Sequence, residues 1–318
     1  MKKHILPILL ANLFLLPASA EEATPEPDFS TQKVASGLYM LMGVNGFTGG
    51  NLGLSIGDDG VVLIDDSMPP FLDKMNKAIK DITKQPIDFL INTHVHGDHI
   101  GNNESLARNG TYIVAHENLR EHLITKGIGS GENKKAAPKA ILPVITFSQS
   151  MNFHLNGHKA HVFHVANAHT DGDAVIHFVD LNVIHTGDTM FNKMFPYIDI
   201  NSGGSVEGFI AAQKKMLSLS DAQTKIIPGH GELASKADLV NSIAMLEDAR
   251  DLVKALIDQG KSEEEVVKLN PLAKYHDKWN WRFITTERMT RQLYQGLAGK
   301  KVAQQKTEHS HGSGGHSH

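Results

Sequence analysis

Not one of the 318 residues is cysteine, so a disulfide framework is excluded and stability has to come from a packed core and from any bound metal. A dense Lys/Arg track is missing too. Lys134-Lys135 and Lys214-Lys215 are short pairs that read as solvated surface, and the formal charge is −4. Both points argue against a nucleic-acid substrate held along its phosphate backbone. No internal repeat period is visible. What is present is 41% hydrophobic content, ordinary for a soluble globular chain long enough for one large domain or two small ones.

The chain starts with a basic head, Met1-Lys2-Lys3-His4, then a short apolar core from Ile5 to Leu16, then the small residues Ala18-Ser19-Ala20. These are the parts of a secretory signal peptide, expected over residues 1–20 with cleavage after Ala20. The apolar core is too short for a stable membrane anchor, and no cysteine follows it to carry a lipid. The expected location is the periplasm or the outside of the cell. Losing Lys2 and Lys3 leaves 29 basic against 35 acidic residues, a balance of −6. Residues 21–33 read as a disordered leader rich in Glu, Pro, Thr and Ser, and residues 301–318 as a disordered His-rich tail. A single domain is expected over 34–300.

Within that domain, Thr93-His94-Val95-His96-Gly97-Asp98-His99 packs three imidazoles and a carboxylate into six positions. The run Ile87 to Asn92 before it reads as a buried strand, so the cluster sits where a strand ends and a helix begins. His94 and His96, two apart, can point to one side of an extended segment. Four ionisable groups this dense are costly to bury unless a cation offsets the desolvation, so the segment reads as a metal site. Three further ionisable residues stand after β-like runs: His169 in Ala168-His169-Thr170-Asp171-Gly172-Asp173, Asp188 in Thr186-Gly187-Asp188-Thr189, and His230 in Pro228-Gly229-His230-Gly231. A ligand at the end of each strand is how a sheet gathers distant residues on one rim.

This series, HxHxDH followed by His, Asp and His, resembles the metallo-β-lactamase superfamily of hydrolases, from about Val34 to at least His230. The resemblance implies an α/β fold, a four-layer αββα sandwich of two sheets with helices on both outer faces. It also implies two zinc ions per chain, one held by His94, His96 and His169, the other by Asp98, His99 and His230, with Asp188 bridging. The reaction implied is hydrolysis of an ester, lactone, thioester or amide bond of a small molecule by a metal-bridging hydroxide, with Asp98 and Asp188 as the catalytic carboxylates. Asp65, ending the run Val61 to Ile64, matches an aspartate that the superfamily places beneath the site as support for a ligand imidazole. The absent thiol departs from zinc β-lactamases that use cysteine in the second site. β-Lactam hydrolysis stays open as an alternative, as do an iron-dependent redox relative and a zinc-binding protein without turnover. Export argues against a glutathione-thioester hydrolase of the cytosolic type.

Helical periodicity is expected at about 70–84, 99–109, 205–219, 235–259 and 285–298. Hairpins are expected over Gly37 to Asp66, and a second sheet region from Ile145 to His185 with a tight turn at Asn156-Gly157. Two loops are candidates for substrate contact. Phe47, in the Gly-rich turn Asn45 to Gly50, can supply an apolar contact, and after Asp188, Asn192 can support an oxyanion while Lys193 binds a carboxylate. His154, His158, His161 and His164 are read as surface-strand residues. Trp279, Trp281 and Phe283 are expected to pin the last helix to the core.

Overall fold

The computed structural model describes residues 25–129 and 134–310, with residues 300–310 described by backbone alone. The expected signal peptide and residues 311–318 of the tail lie outside the described residues. Strands β1 (Asp28–Ala35), β2 (Leu38–Val44), β3 (Leu52–Gly57), β4 (Gly60–Ile64), β5 (Phe89–Ile91), β6 (Tyr112–His116) and β7 (Ile145–Phe147) pair in that order as one sheet. The second sheet contains β8 (Ser150–Leu155), β9 (His158–His164), β10 (Ala174–Phe178), β11 (Val183–His185), β12 (Lys225–Ile227) and β13 (Ala234–Ser235), in spatial order β13-β12-β11-β10-β9-β8. The helices are α1 (Leu72–Ile82), α2 (Gly97–Ile100), α3 (Asn103–Arg108), α4 (Glu117–Lys126), α5 (Val206–Ser218), α6 (Lys236–Asp258), α7 (Glu263–Leu269), α8 (His276–Trp279) and α9 (Thr286–Ser310). None of the described helices is long and apolar enough to cross a membrane.

Period-two alternation sorts the strand side chains into layers. Val62 and Ile64 of β4 face the gap between the sheets, where they meet Val162, Ile176 and Ile227 of the second sheet. Their neighbours Val61 and Leu63 point outward to Met75 and Ile79 of α1 and Leu106 of α3. On the far side, Val175, Ile184 and Ile226 point out to Ala212 and Met216 of α5 and Leu239 and Ile243 of α6. Strands apolar on both faces therefore carry helices on both outer faces, and the architecture is the αββα sandwich. A further core, built on Phe195, Phe209, Leu246, Val253, Trp279 and Leu293, packs the C-terminal helices together. Helix starts follow the local chemistry: Ser235 with Asp238 opens α6, and Ser262 with Glu265 opens α7, each as a reciprocal capping box.

Three boundaries differ from the sequence reading. Residues 28–33, expected in the leader, belong to β1, which pairs with β2 from Asp28↔Val44 to Ala35↔Leu38. This edge strand is largely polar, and it is held by backbone pairing with β2 together with Val34 in the core between the sheets and Phe29 against the outer layer. Ile145–Phe147, expected to begin the second sheet region, instead joins β6 in parallel as the edge of the first sheet. Helix α9 continues to Ser310, beyond the expected end of order at residue 300. The Asn156-Gly157 turn is as expected: both residues are left-handed, with φ of 59° and 74°, as a two-residue hairpin of this kind requires.

Candidate metal centre

The strand ends converge on one rim. Asp65 follows β4, His94 and His96 follow β5, and Asp98 and His99 lie in α2. His169 stands in the loop between β9 and β10, Asp188 follows β11, and His230 follows β12. The seven residues expected as ligands come together there.

Asp188 is at the middle. Its Oδ1 is 3.1 Å from His99 Nε2, and its Oδ2 is 3.4 Å from His230 Nε2, 3.6 Å from His169 Nε2 and 3.8 Å from His94 Nε2. Asp98 Oδ2 is 3.4 Å from His230 Nε2 and 3.6 Å from His99 Nε2. His96 turns its Nδ1 inward, 2.9 Å from His169 Nε2. Donor atoms thus fall into two compact sets, each within 4.8 Å: His94, His96, His169 and Asp188, and Asp98, His99 and His230. Asp65 lies equally close to His94 and His99, but its oxygens are already engaged. Oδ1 accepts from Thr93 N at 2.7 Å, and Oδ2 meets Thr93 Oγ1 and His99 Nδ1, each at 2.7 Å. Asp65 therefore holds the His99 ring rather than offering a free ligand atom.

The other outward ring nitrogens are held in the same way. His94 Nδ1 meets Thr93 Oγ1 at 3.0 Å, His169 Nδ1 donates to the Tyr197 carbonyl at 2.8 Å, and His96 Nε2 meets Asp199 Oδ2 at 2.9 Å. Each such bond sets which nitrogen faces inward. Inward, His94 Nε2, His99 Nε2 and Asp188 Oδ1 are buried with no hydrogen-bond partner outside the cluster, the last two facing each other at 3.1 Å. Buried polar atoms without partners are rare because each forfeits its hydration. Three of them aimed at one point fit a cation, and an all-nitrogen and oxygen donor set suits zinc.

The electrostatics divide the two sets. Burial, reinforced by the facing His99, pushes His94 well below its ordinary pKa, and burial brings His169 down to about 4. In the second set burial acts in the same direction but is outweighed. The carboxylates of Asp188, Asp98 and Asp65 hold His99 well above the usual range, and Asp188 and Asp98 hold His230 at about 9. Burial alone would raise Asp188 and Asp98, yet the surrounding imidazoles, His230 first for Asp188 and His99 first for Asp98, keep Asp188 well below its ordinary value and Asp98 at about 2.

Glycines leave room for the rings. A methyl on Gly50 would collide with the His99 imidazole, and one on Gly229 with Asp188 Oδ1. Beside His230 opens a cavity of about 520 Å³ lined by Met42, Phe47, Asn192, Lys193, Met194 and Trp281 among others. Phe47 stacks on His230 with centroids 5.7 Å apart. Lys193 is exposed on the cavity wall. Asn192 is buried and donates its Nδ2 to the Glu232 carbonyl, so it also braces the loop that carries His230.

Several functional residues escaped the sequence reading. Asp199 fixes His96 from a loop 103 positions away. Asp173 accepts from His169 N at 2.6 Å and Thr170 N at 2.8 Å, and its Oδ1 from Thr170 Oγ1 at 2.5 Å, shaping the loop that presents His169. Burial pushes its carboxyl up to about 7. The dense polar run from His169 to Asp173 was a usable signal for Asp173, whereas Asp199 had none. Trp279 is in the core as expected, and Trp281 packs against that core while also standing on the cavity wall, its Nε1 donating to Phe195 O at 2.9 Å, whereas Phe283 is exposed. His158, expected on the surface, is buried with its Nε2 3.1 Å from Ser55 Oγ of the other sheet.

An αββα sandwich with a double His/Asp cluster on its strand-end rim defines a class of protein in which the fold is the frame and the rim is the site. The chain belongs to the metallo-β-lactamase superfamily, whose family model matches residues 45–230. Its relatives include a linear primary-alkylsulfatase of a Pseudomonas species, 23% identical over 76% of this chain and 54% of the relative. A hydroxyacylglutathione hydrolase of Nitrosococcus oceani is 27% identical over 44% of this chain and 47% of the relative. The chain thus spans about half the length of the curated relatives it matches. Among solved structures, a metallo-β-lactamase from Pontibacter korlensis superposes with a TM-score of 0.58 at 18% identity, covering 70% of this chain and all of its own. A sec-alkylsulfatase from a Pseudomonas species reaches 0.62 at 18% identity over 86% of this chain and 51% of its own. At these identities the structural likeness concerns the fold.

Proposed function

We propose that this chain is a dinuclear zinc hydrolase that cleaves an ester, lactone, thioester or amide bond of a small molecule. The observation that carries the reading is the convergence of buried, unpartnered donor atoms, His94 Nε2, His99 Nε2 and Asp188 Oδ1, at the meeting point of two donor sets. His94, His96 and His169 would hold one ion, Asp98, His99 and His230 the other, and Asp188, with an oxygen toward each set, would serve both. Bound zinc supplies Lewis acidity toward the scissile carbonyl and makes water acidic enough to attack near neutral pH.

The chain's own residues supply orientation. Asp65, Thr93, Asp199 and the Tyr197 carbonyl fix the ligand rings, so that little reorganisation accompanies binding. Asp98, with side-chain exposure of 23% against 5% for Asp188, is the carboxylate that reaches toward solvent and substrate. In this reading it would accept a hydrogen bond from the attacking water. Phe47 and Lys193 on the cavity wall are the substrate contacts of this reading. One relative is named a linear primary-alkylsulfatase and another a hydroxyacylglutathione hydrolase, so an alkyl sulfate belongs in any substrate panel. β-Lactams belong there as well.

The test is elemental analysis of the full chain at saturating zinc, coupled to that panel. Two equivalents of zinc and zinc-dependent turnover on at least one substrate are expected. One tightly held equivalent, or a covalent acyl group trapped on a side chain, would overturn it. Export is proposed with it, and amino-terminal sequencing of the processed protein should begin at Glu21.

A further inference from the structure

The cavity beside His230 has a character that hydrolysis in general does not require. Met42 comes from β2 and Phe47 from the turn after it, while Met194 comes from the loop after Asp188 and Trp281 from the segment between α8 and α9. The rings of Phe47, Phe191 and Trp281 lie around His230. Phe191 stacks on it at 5.0 Å and Phe47 at 5.7 Å, and Trp281 lies at 6.3 Å.

The C-terminal side of this wall is clamped. Trp281 Nε1 donates to Phe195 O at 2.9 Å, and Phe195 N donates to Trp279 O at 2.8 Å. The opposite side ends in Phe47, 54% exposed, on a turn whose Asn45 and Gly46 both have positive φ. Phe47 thus carries the apolar wall of Met42, Met194 and Trp281 out to the mouth of the site. Among the described residues, the polar side chains lining the cavity are Thr48, Asn51, Asn192, Lys193, Glu232 and His230 itself, and Lys193 and Glu232 are of opposite sign. A volume of about 520 Å³ suits a small molecule.

We infer that this cavity binds the apolar tail of the substrate: the bond broken belongs to an acyl or alkyl compound with an unbranched apolar chain, and Trp281 sets the preferred length of that chain. The inference rests on the hydrolase reading for the reacting head and on the cavity alone for the tail. Trp281 lies outside the family-matched residues 45–230, so the selectivity comes from this chain's C-terminal segment. The two thioethers add walls that adapt to a flexible chain, because an unbranched thioether side chain repacks easily.

The experiment is calorimetric titration of the zinc-loaded full chain with butanoate, hexanoate, octanoate and decanoate, carboxylates that are not turned over. Kd should tighten by about fourfold per methylene until the chain fills the cavity. Trp281→Ala should flatten that dependence and Trp281→Phe should keep most of it. Phe47→Ala, at an exposed position that the fold does not need, should flatten it in part. Equal Kd for butanoate and decanoate, or a slope that neither alanine variant changes, overturns the inference. A chain-length slope without turnover of any panel substrate would remove the hydrolase reading and leave the tail site standing, and turnover without a slope would do the reverse.

Discussion

Zinc should enter the two donor sets with different proton stoichiometries. A metal takes imidazole in its neutral form, so any proton already on a ligand has to leave. In the first set, His94 sits well below its ordinary pKa and His169 at about 4, so both are neutral at pH 7 and release nothing. In the second set, His230 is held at about 9 and His99 well above its usual range by the facing carboxylates, so both carry protons. These folded-state values are raised, so the protonated form persists until the pH climbs through them, and zinc competes with protons everywhere below. At pH 7 the neutral ring of His230 is therefore the minor form, and zinc has to displace its proton to bind there. Apparent affinity of the second site should therefore rise by at least about tenfold per pH unit between 6 and 8, and more steeply with His99 included. Titrating metal-free protein with zinc in two buffers of different ionisation enthalpy gives the protons released per equivalent: close to zero from His94 and His169, and about two from His99 and His230. Equal release for both equivalents, or a second-site affinity independent of pH, would refute the electrostatic division.

Asp188→Ala removes the one carboxylate that faces both sets and should lose most turnover, at least about a thousandfold, while circular dichroism and the thermal midpoint show the fold intact. Asp65→Asn breaks the charged hydrogen bond to His99 Nδ1 and should weaken zinc in the second site by about 10- to 100-fold, read by competition with a chromogenic chelator; an unchanged affinity would make Asp65 a purely structural loop residue. Gly229→Ala places a methyl against Asp188 Oδ1, so zinc content should fall toward one equivalent or less, whereas Gly157→Ala, with open space around it, should leave zinc content unchanged. Asp173→Ala strands two buried N–H groups and a hydroxyl, a loss of about 2–4 kcal/mol that scanning calorimetry would register as a midpoint lowered by roughly 5–15 °C.

The candidate ligand set was legible because its members are unusual locally. His94, His96, Asp98 and His99 crowd one strand-to-helix turn, and His169, Asp188 and His230 each follow an apolar run of strand length. Such signals need only neighbouring residues to be read. The sandwich came from the family resemblance, and the structure adds the local reason, since strands such as Val61 to Ile64, apolar on both faces, require cover on both sides. The family resemblance supplied the pairing of ligands into two sets, which spacing alone does not give.

Tertiary structure decided what depends on partners far along the chain. The β1 edge strand is largely polar, and its place rests on backbone pairing with β2 and on the few apolar residues, Phe29 and Val34, that reach the core. The assignment of Ile145–Phe147 to the first sheet was a choice between two sheets that its own three residues do not encode. Which nitrogen of His96 turns inward is set by Asp199, and which side of His99 is held is set by Asp65, 34 positions away. The alternation of Trp279, Trp281 and Phe283 announced apolar contacts but not their recipients. Only the fold put one indole in the core and the other on the cavity wall, because a side chain's environment is made by the segments that arrive around it. Sequence by itself therefore determined which chemistry this protein has available, through residue types whose burial needs a cation. Packing determined how that chemistry is oriented, protonated and walled.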